Sequence, residues 1–182
     1  NIYILLNDGM NFRTSVILTR EDAGELRSFF TDEYLNSDEA LGIGLVHEKQ
    51  PYLDYLRLFR EYFGFYCGPD HRLFGRKNLS LPDLRGETSV SFKTDRLTDA
   101  LRPVALLRAQ AQLEDRVVGV SSSLEVVRRM ILAGLGIGPL PVHVANRDVE
   151  AGLLWRLPPY EEPPAIDIHV VTNPGTRFNR AE

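Results

Sequence analysis

Apolar positions fall into short runs of strand length along most of this chain. They recur at Ile2 to Leu6, Ser15 to Thr19, Leu41 to Val46, Thr88 to Phe92, Val117 to Val120, Ile137 to Leu140, Leu153 to Leu157 and Ile166 to Thr172. Runs of this length bounded by turn residues predict buried strands. The aromatic stretch Tyr55 to Cys67 reads as two strand segments joined near Glu61, and Gly68-Pro69 ends them. Between the runs the period changes. Thr19-Arg20-Glu21-Asp22 opens a predicted helix to about Tyr34, with Leu26, Phe29 and Phe30 inward. Leu81 to Leu84 is a helical turn with Pro82 at its first position. A helix over Thr98 to Gln112 carries Leu97, Leu101, Val104, Ala105 and Ala111 broadly on one side, with Pro103 in its first turn. Ser122-x-x-Glu125 is a capping box for a helix whose apolar face is Leu124, Val127, Ile131 and Leu135. Gly134 ends that helix, and Val142 to Ala151 is helical. Asn173-Pro174-Gly175 is a turn, and Phe178 to Ala181 starts a further helix.

Strands that alternate with helices predict an α/β fold with largely parallel sheets. One connection resists that scheme. Only eight residues, NDGMNFRT, separate Leu6 from Ser15, whereas a parallel crossover needs at least about 10. Either these strands are not a βαβ pair, or residues are absent between them; the second reading is preferred.

Composition narrows the function. The 182 residues contain 43% apolar and 25% charged residues, ordinary for a globular protein, with a formal net charge of -4. An acidic chain is poorly suited to hold nucleic acid by itself. A single cysteine, Cys67, supplies neither an intrachain disulfide nor a metal cluster, and fits a reducing compartment. No run reaches the ~18 apolar residues of a membrane span, and no leader pattern is seen. The chain opens on Asn1 inside an apolar run, so its natural start is expected elsewhere.

Ser121 to Pro141, followed by VHVANRDVEAGLLWRLPP and IDIHVVTNP, resembles the effector-binding domain of LysR-type transcriptional regulators, as does Phe63 to Gly86 with its loop Asp70-His71-Arg72-Leu73-Phe74. Together the matching stretches cover most of Leu41 to Glu182. The resemblance implies two Rossmann-like lobes joined by two crossover strands, similar to type 2 periplasmic binding proteins, with the ligand between them. The first lobe would be residues 1–62 plus 171–182 and the second 63–170, with crossings near Glu61 to Gly64 and Val170 to Asn173. Two features depart from the family. The full helix between the first two strands is missing, and so is the N-terminal winged helix-turn-helix. The chain is therefore expected to be a fragment lacking its DNA reader.

Candidate contacts follow from position. Ser121, Ser122 and Ser123 stand at a helix start after a strand, where backbone N–H groups and hydroxyls suit a carboxylate; helix capping by Ser122 is the plainer role. Ser91, Phe92 and Lys93, with Ser89 before them, end the preceding strand, and the resemblance implies that this loop lines the cleft; a hydroxyl beside a cation suits an anion, against the bland alternative of a solvated strand end with a surface lysine. His47 follows LGIGLV and could donate to a ligand, and Asn7 and Asp8 follow the first strand, where the resemblance implies a ligand contact; these are minor candidates. The run Gly134-Leu135-Gly136-Ile137-Gly138 follows a helix and opens a strand, the reverse of a dinucleotide loop, so it reads as helix stop and close packing. Gly138 and Pro139 stay candidates for lining the cleft through backbone. Cys67 and His71 invite a nucleophile–base reading, but no orienting acid is evident, and a buried thiol with a surface histidine is preferred. Glu161-Glu162, among four prolines, is a solvated loop, and Trp155 is core or interface.

These readings converge on a binding-and-switch module, not an enzyme. It would take a small anionic effector without cofactor or metal, act in the cytoplasm as a homodimer or tetramer, and reach DNA only through the missing N-terminal domain. The alternative is an extracytoplasmic solute-binding protein with the same lobes.

Overall fold

The computed structural model describes residues 2–7, 12–17, 40–46 and 49–172. The chain divides into two units, one of residues 1–60 and 167–182, the other of residues 61–166. The helix expected from Thr19 to Tyr34, the turn at Asn173 and the helix start at Phe178 lie outside the described residues.

In the first unit, β1 (Ile2–Asn7) pairs antiparallel with both β2 (Phe12–Ile17) and β3 (Ala40–Leu45). Tyr3 stands opposite Ile17 on one side and Ile43 on the other. β1 and β2 are thus not a βαβ pair, the first of the two readings above, and antiparallel strands need no crossover helix. The last strand, β9 (Ala165–Thr172), adds to β3, again antiparallel, with Gly44 opposite His169. The expectation of largely parallel sheets is corrected here: among the described residues, β1–β2, β1–β3 and β3–β9 are all antiparallel. Asp167 on β9 accepts from the Arg60 guanidinium at 2.7 and 3.1 Å, and the Tyr55 ring meets His169 edge-on at 6.4 Å.

β4 (Asp54–Cys67) is one continuous strand, not two segments, and it passes the unit boundary at Arg60/Glu61 without a break. Its burial changes along its length. Arg57, Leu58, Phe59 and Arg60 are exposed, whereas Phe63 through Cys67 are buried. In the second unit that buried half lies between β7 (Gly138–Pro141) and β8 (Trp155–Leu157), both antiparallel to it. β5 (Ser89–Phe92) and β6 (Val117–Ser121) form a parallel pair, and the Val90 N–H donates to Ile137 O at 2.8 Å beside the β7 strand.

Three helices complete this unit: α1 (Arg102–Gln110), α2 (Leu124–Leu132) and α3 (Val142–Glu150). α1 begins four residues later than the sequence predicts, because Thr98 to Leu101 turn before Pro103 sets the first helical turn. α2 and α3 both stop at a glycine of positive φ, Gly134 at 73° and Gly152 at 71°. The next two N–H groups then close back on the last turn: Gly134 to Ile131 O and Leu135 to Met130 O, and likewise Gly152 to Val149 O and Leu153 to Asp148 O. One core cluster joins Phe65 and Cys67 of β4 to Leu73, Leu84, Leu107, Ala111, Leu113, Ile137 and Leu157. Each large side chain there contributes about 1.5–3 kcal/mol by leaving water. The Trp155 indole packs beside Phe74 and donates to Arg76 O at 2.9 Å. Among the described residues no helix is long and apolar enough to cross a membrane.

Candidate functional site

The parallel pairing of β5 with β6 decides which candidates meet. Ser91 stands opposite Val120 and Phe92 opposite Ser121, so the carboxyl ends of the two strands are level. The Lys93 N–H then donates to Ser121 O at 3.1 Å, which holds the two outgoing loops side by side. Ser91 and Phe92 are buried, Lys93 is exposed, and Ser121, Ser122 and Ser123 are half-buried. A lysine and three serines thereby gather where α/β sheets collect ligands, outside the carboxyl ends of parallel strands.

The helix that starts there is capped one residue later than the sequence indicates. Ser123, with extended φ and ψ of -91° and 124°, is the N-cap of α2 and accepts from the Val126 N–H at 3.5 Å. Its own N–H donates to the Ser121 hydroxyl at 3.1 Å. Capping by Ser122 is thus corrected: Leu124 already has helical geometry, so the half-in position falls to Ser123. Ser121 and Ser123 bend the chain from strand to helix, and Ser122 lies between them.

The remaining candidates are placed elsewhere or not described. Gly138 is buried mid-sheet; a Cβ there would lie 2.5 Å from Val90 Cγ2 and 2.7 Å from Ile131 Cδ1, so it lets α2 approach the sheet. Pro139 is buried opposite Phe65. A Cβ on Gly136 would come within 2.5 Å of Thr88 O. The glycine run therefore serves helix termination and close packing, and it cradles no nucleotide. Asn7 ends β1 with its backbone opposite Phe12. Asp8 and His47 lie outside the described residues.

Cys67 and His71 do have an acid beside them, which the sequence did not reveal. Glu87 Oε2 lies 3.3 Å from His71 Nε2, and Arg72 pairs with the other oxygen. The set still provides no base. His71 Nδ1 accepts from the Leu73 N–H at 3.2 Å, and Nε2 faces Glu87, so both ring nitrogens are committed. Burial holds His71 below its ordinary pKa, against the pull of Glu87. Burial, with Glu87 adding to it, pushes the Cys67 thiol up to about 12, far from a thiolate. Among the described residues no group of three or more His, Cys, Asp or Glu is arranged to hold a metal ion.

A second buried charge pair escaped the sequence reading. Asp95 is 1% exposed, two residues beyond Lys93, and Arg108 Nε of α1 lies 3.5 Å from its Oδ2. Burial pushes this carboxyl up to about 6; Arg108 opposes the shift and Glu114 adds to it. The signal was present: Arg108 falls in helical step with Leu101, Val104, Ala105 and Ala111, a charge on an apolar stripe. A third pair, Arg128 with Asp148, ties α2 to α3 through bonds of 2.6 Å at both carboxylate oxygens.

Polar groups at adjacent strand ends, with a close-packed sheet behind them, are compatible with a ligand-binding α/β domain. The comparisons give that class its family. The chain belongs to the LysR substrate binding domain family, whose model matches residues 34–181. It is 34% identical to the HTH-type transcriptional activator BauR of Pseudomonas aeruginosa over 147 residues, covering 78% of this chain and 45% of that protein. It is 28% identical to the hydrogen peroxide-inducible genes activator of Pectobacterium carotovorum over 135 residues, covering 74% of this chain and 43% of the relative. The chain thus spans less than half the length of these curated relatives. Among solved structures, the regulatory domain of the HypT M206Q mutant from Salmonella typhimurium matches with a TM-score of 0.66 at 18% identity, covering 96% of this chain and 80% of that one. The α/β, two-lobed, periplasmic-binding-protein-like fold class expected from sequence is the one these regulatory domains share.

Proposed function

We propose that this chain is the effector-sensing domain of a LysR-type transcriptional regulator and that its effector is a small anion, a carboxylate above all. The observation that carries the reading is the level ending of β5 and β6, which sets Lys93 beside Ser121, Ser122 and Ser123 at the start of α2. Hydroxyls, a cation and the N-terminal end of a helix together favour negative charge. Membership of the family and likeness to transcriptional activators support the regulatory role. In the intact regulator the effector would favour one arrangement of lobes or of subunits in a homodimer or tetramer, and so move a separate N-terminal DNA reader. Coupling of about 1–3 kcal/mol is enough for such a switch. The regulator would work in the cytoplasm without a cofactor, and the effector would be bound, not transformed.

A thermal-shift screen of this chain against aliphatic and aromatic carboxylates, amino acids and inorganic phosphate tests the proposal. An anion at 100 times its dissociation constant adds about 2.7 kcal/mol. The Ser121/Ser122/Ser123 triple-alanine variant and Lys93→Ala are expected to weaken that response at least tenfold. If only uncharged compounds stabilise the fold, or if both variants bind as well as the wild type, the anion site is refuted.

A further inference from the structure

Asp95 is a carboxyl group without the contacts a buried carboxylate needs. Its side chain is fully enclosed, and neither Oδ1 nor Oδ2 accepts a hydrogen bond. Arg108 stands near but does not satisfy it. Its Nε is 3.5 Å from Oδ2 and itself has no hydrogen-bond partner, while its Nη2 donates to the backbone carbonyl of Asp95 at 3.2 Å. Four residues on, Asp99 Oδ2 is also buried without a partner, its Oδ1 being taken by the Ala100 N–H at 2.8 Å. An ionised carboxylate enclosed in this way is penalised, and relief comes by taking up a proton or by moving into water.

The segment that carries these acids is built of turns, not of helix or strand. From Phe92 to Arg102 its backbone is held by successive short turns: Asp95 N–H to Phe92 O, Asp99 N–H to Arg96 O and Arg102 N–H to Asp99 O, at 3.0 to 3.1 Å. Its buried anchors are Thr94, Asp95 and Leu101. Asp95 is thus the one charged group among the segment's buried anchors.

We propose that Asp95 is a proton-operated latch on the segment Lys93 to Leu101: protonated, it holds the segment down, and ionised, it lets the segment open. The sign follows from burial. A carboxyl whose proton affinity is raised in the closed form favours closure at low pH, and that preference is lost as pH rises through its closed-state pKa. Burial pushes the group up to about 6; Arg108 from α1 pulls against burial, and Glu114 beyond that helix adds to it. Lys93 opens the segment and bonds to Ser121 O, so the latch bears on the proposed anion site; that consequence rests on the proposed function, whereas the latch itself does not.

The test needs no effector. Carboxyl carbon NMR of this chain with labelled aspartate, from pH 4 to 8, is expected to show one resonance titrating near 6 that disappears in Asp95→Asn. Amide hydrogen exchange over residues 93–101, corrected for its intrinsic pH dependence, is expected to rise on the order of tenfold between pH 5 and 8 in the wild type and to stay flat in Asp95→Asn. Arg108→Gln gives an independent readout: removing the cation is expected to move both midpoints to higher pH, which mere loss of packing would not do. A wild-type Asp95 that titrates with surface aspartates near 4, or an Asp95→Asn exchange profile that follows the wild type, overturns the latch.

Discussion

The pairing of Arg128 with Asp148 gives the sharpest energetic prediction. The guanidinium of α2 grips the carboxylate of α3 through Nε and Nη2, both at 2.6 Å, and Nη1 also reaches Glu125 at 3.3 Å. The two partners differ in burial: the Asp148 side chain is 5% exposed and that of Arg128 is 25% exposed. Truncating one side therefore differs from truncating the other. Arg128→Ala strands a buried carboxylate, and breaking a buried pair costs about 3–5 kcal/mol, of which about 3 is expected here because the site has an open side. Asp148→Ala leaves an arginine that can turn to water and keep Glu125, so about 2 kcal/mol is expected. The double variant should lose less than the sum, with a coupling of about 1.5 kcal/mol. Urea unfolding followed at Trp155, the only tryptophan and within the same unit as both helices, measures the cycle. For a chain of this size 3 kcal/mol lowers Tm by about 6–12 °C. Equal losses that add within about 0.5 kcal/mol would refute the reasoning, because they would mean that the ion pair contributes no more than two independent contacts.

Two further outcomes are expected. Cys67, wholly buried with its thiol pushed up to about 12, should leave an aromatic disulfide reagent unreacted in the native chain at pH 8 and react at once in urea; fast native labelling would show that the core around β4 opens. Gly138→Ala should destabilise by about 1–3 kcal/mol through overpacking, with partial rescue by Ile131→Val, since the new methyl would lie 2.7 Å from the Ile131 Cδ1 that this change removes; a neutral Gly138→Ala would contradict the tight seating of α2.

The elements were legible where local chemistry is self-contained. The strand runs Val117 to Val120 and Ile166 to Thr172, and the glycine stop at Gly134, depend on periodicity and on left-handed backbone, which neighbours in sequence determine. The cap was misplaced by one residue because three successive serines offer the same hydroxyl, and only the bend after β6 selects Ser123. A short link permits the antiparallel pairing of β1 with β2, whereas the reading preferred from sequence was that residues are absent between them. Strand direction is set by which partner lies alongside, and no run of apolar residues encodes that.

The site was less legible than the fold for a physical reason. Sequence could identify the residues that end strands, Ser91 to Lys93 and Ser121 to Ser123, but their meeting depends on a parallel register that pairs Phe92 with Ser121. The buried charged groups were not singled out from the sequence. Asp95, in the polar loop Lys93-Thr94-Asp95-Arg96, reads as solvated, because a loop's burial is decided by what packs over it. Arg108 and Asp148, by contrast, occupy helices, where position alone shows that a charge is turned inward. A charge on an apolar helical stripe must find a partner, so it predicts a buried opposite charge on a neighbouring element. Arg108 implies Asp95, and Asp148 implies Arg128. The two pairs then part in chemistry by the quality of their hydrogen bonds. The satisfied pair Arg128–Asp148 is a fixed tie between helices, while the Asp95 carboxyl, near its arginine, accepts no hydrogen bond at either oxygen and is the one proposed to exchange a proton.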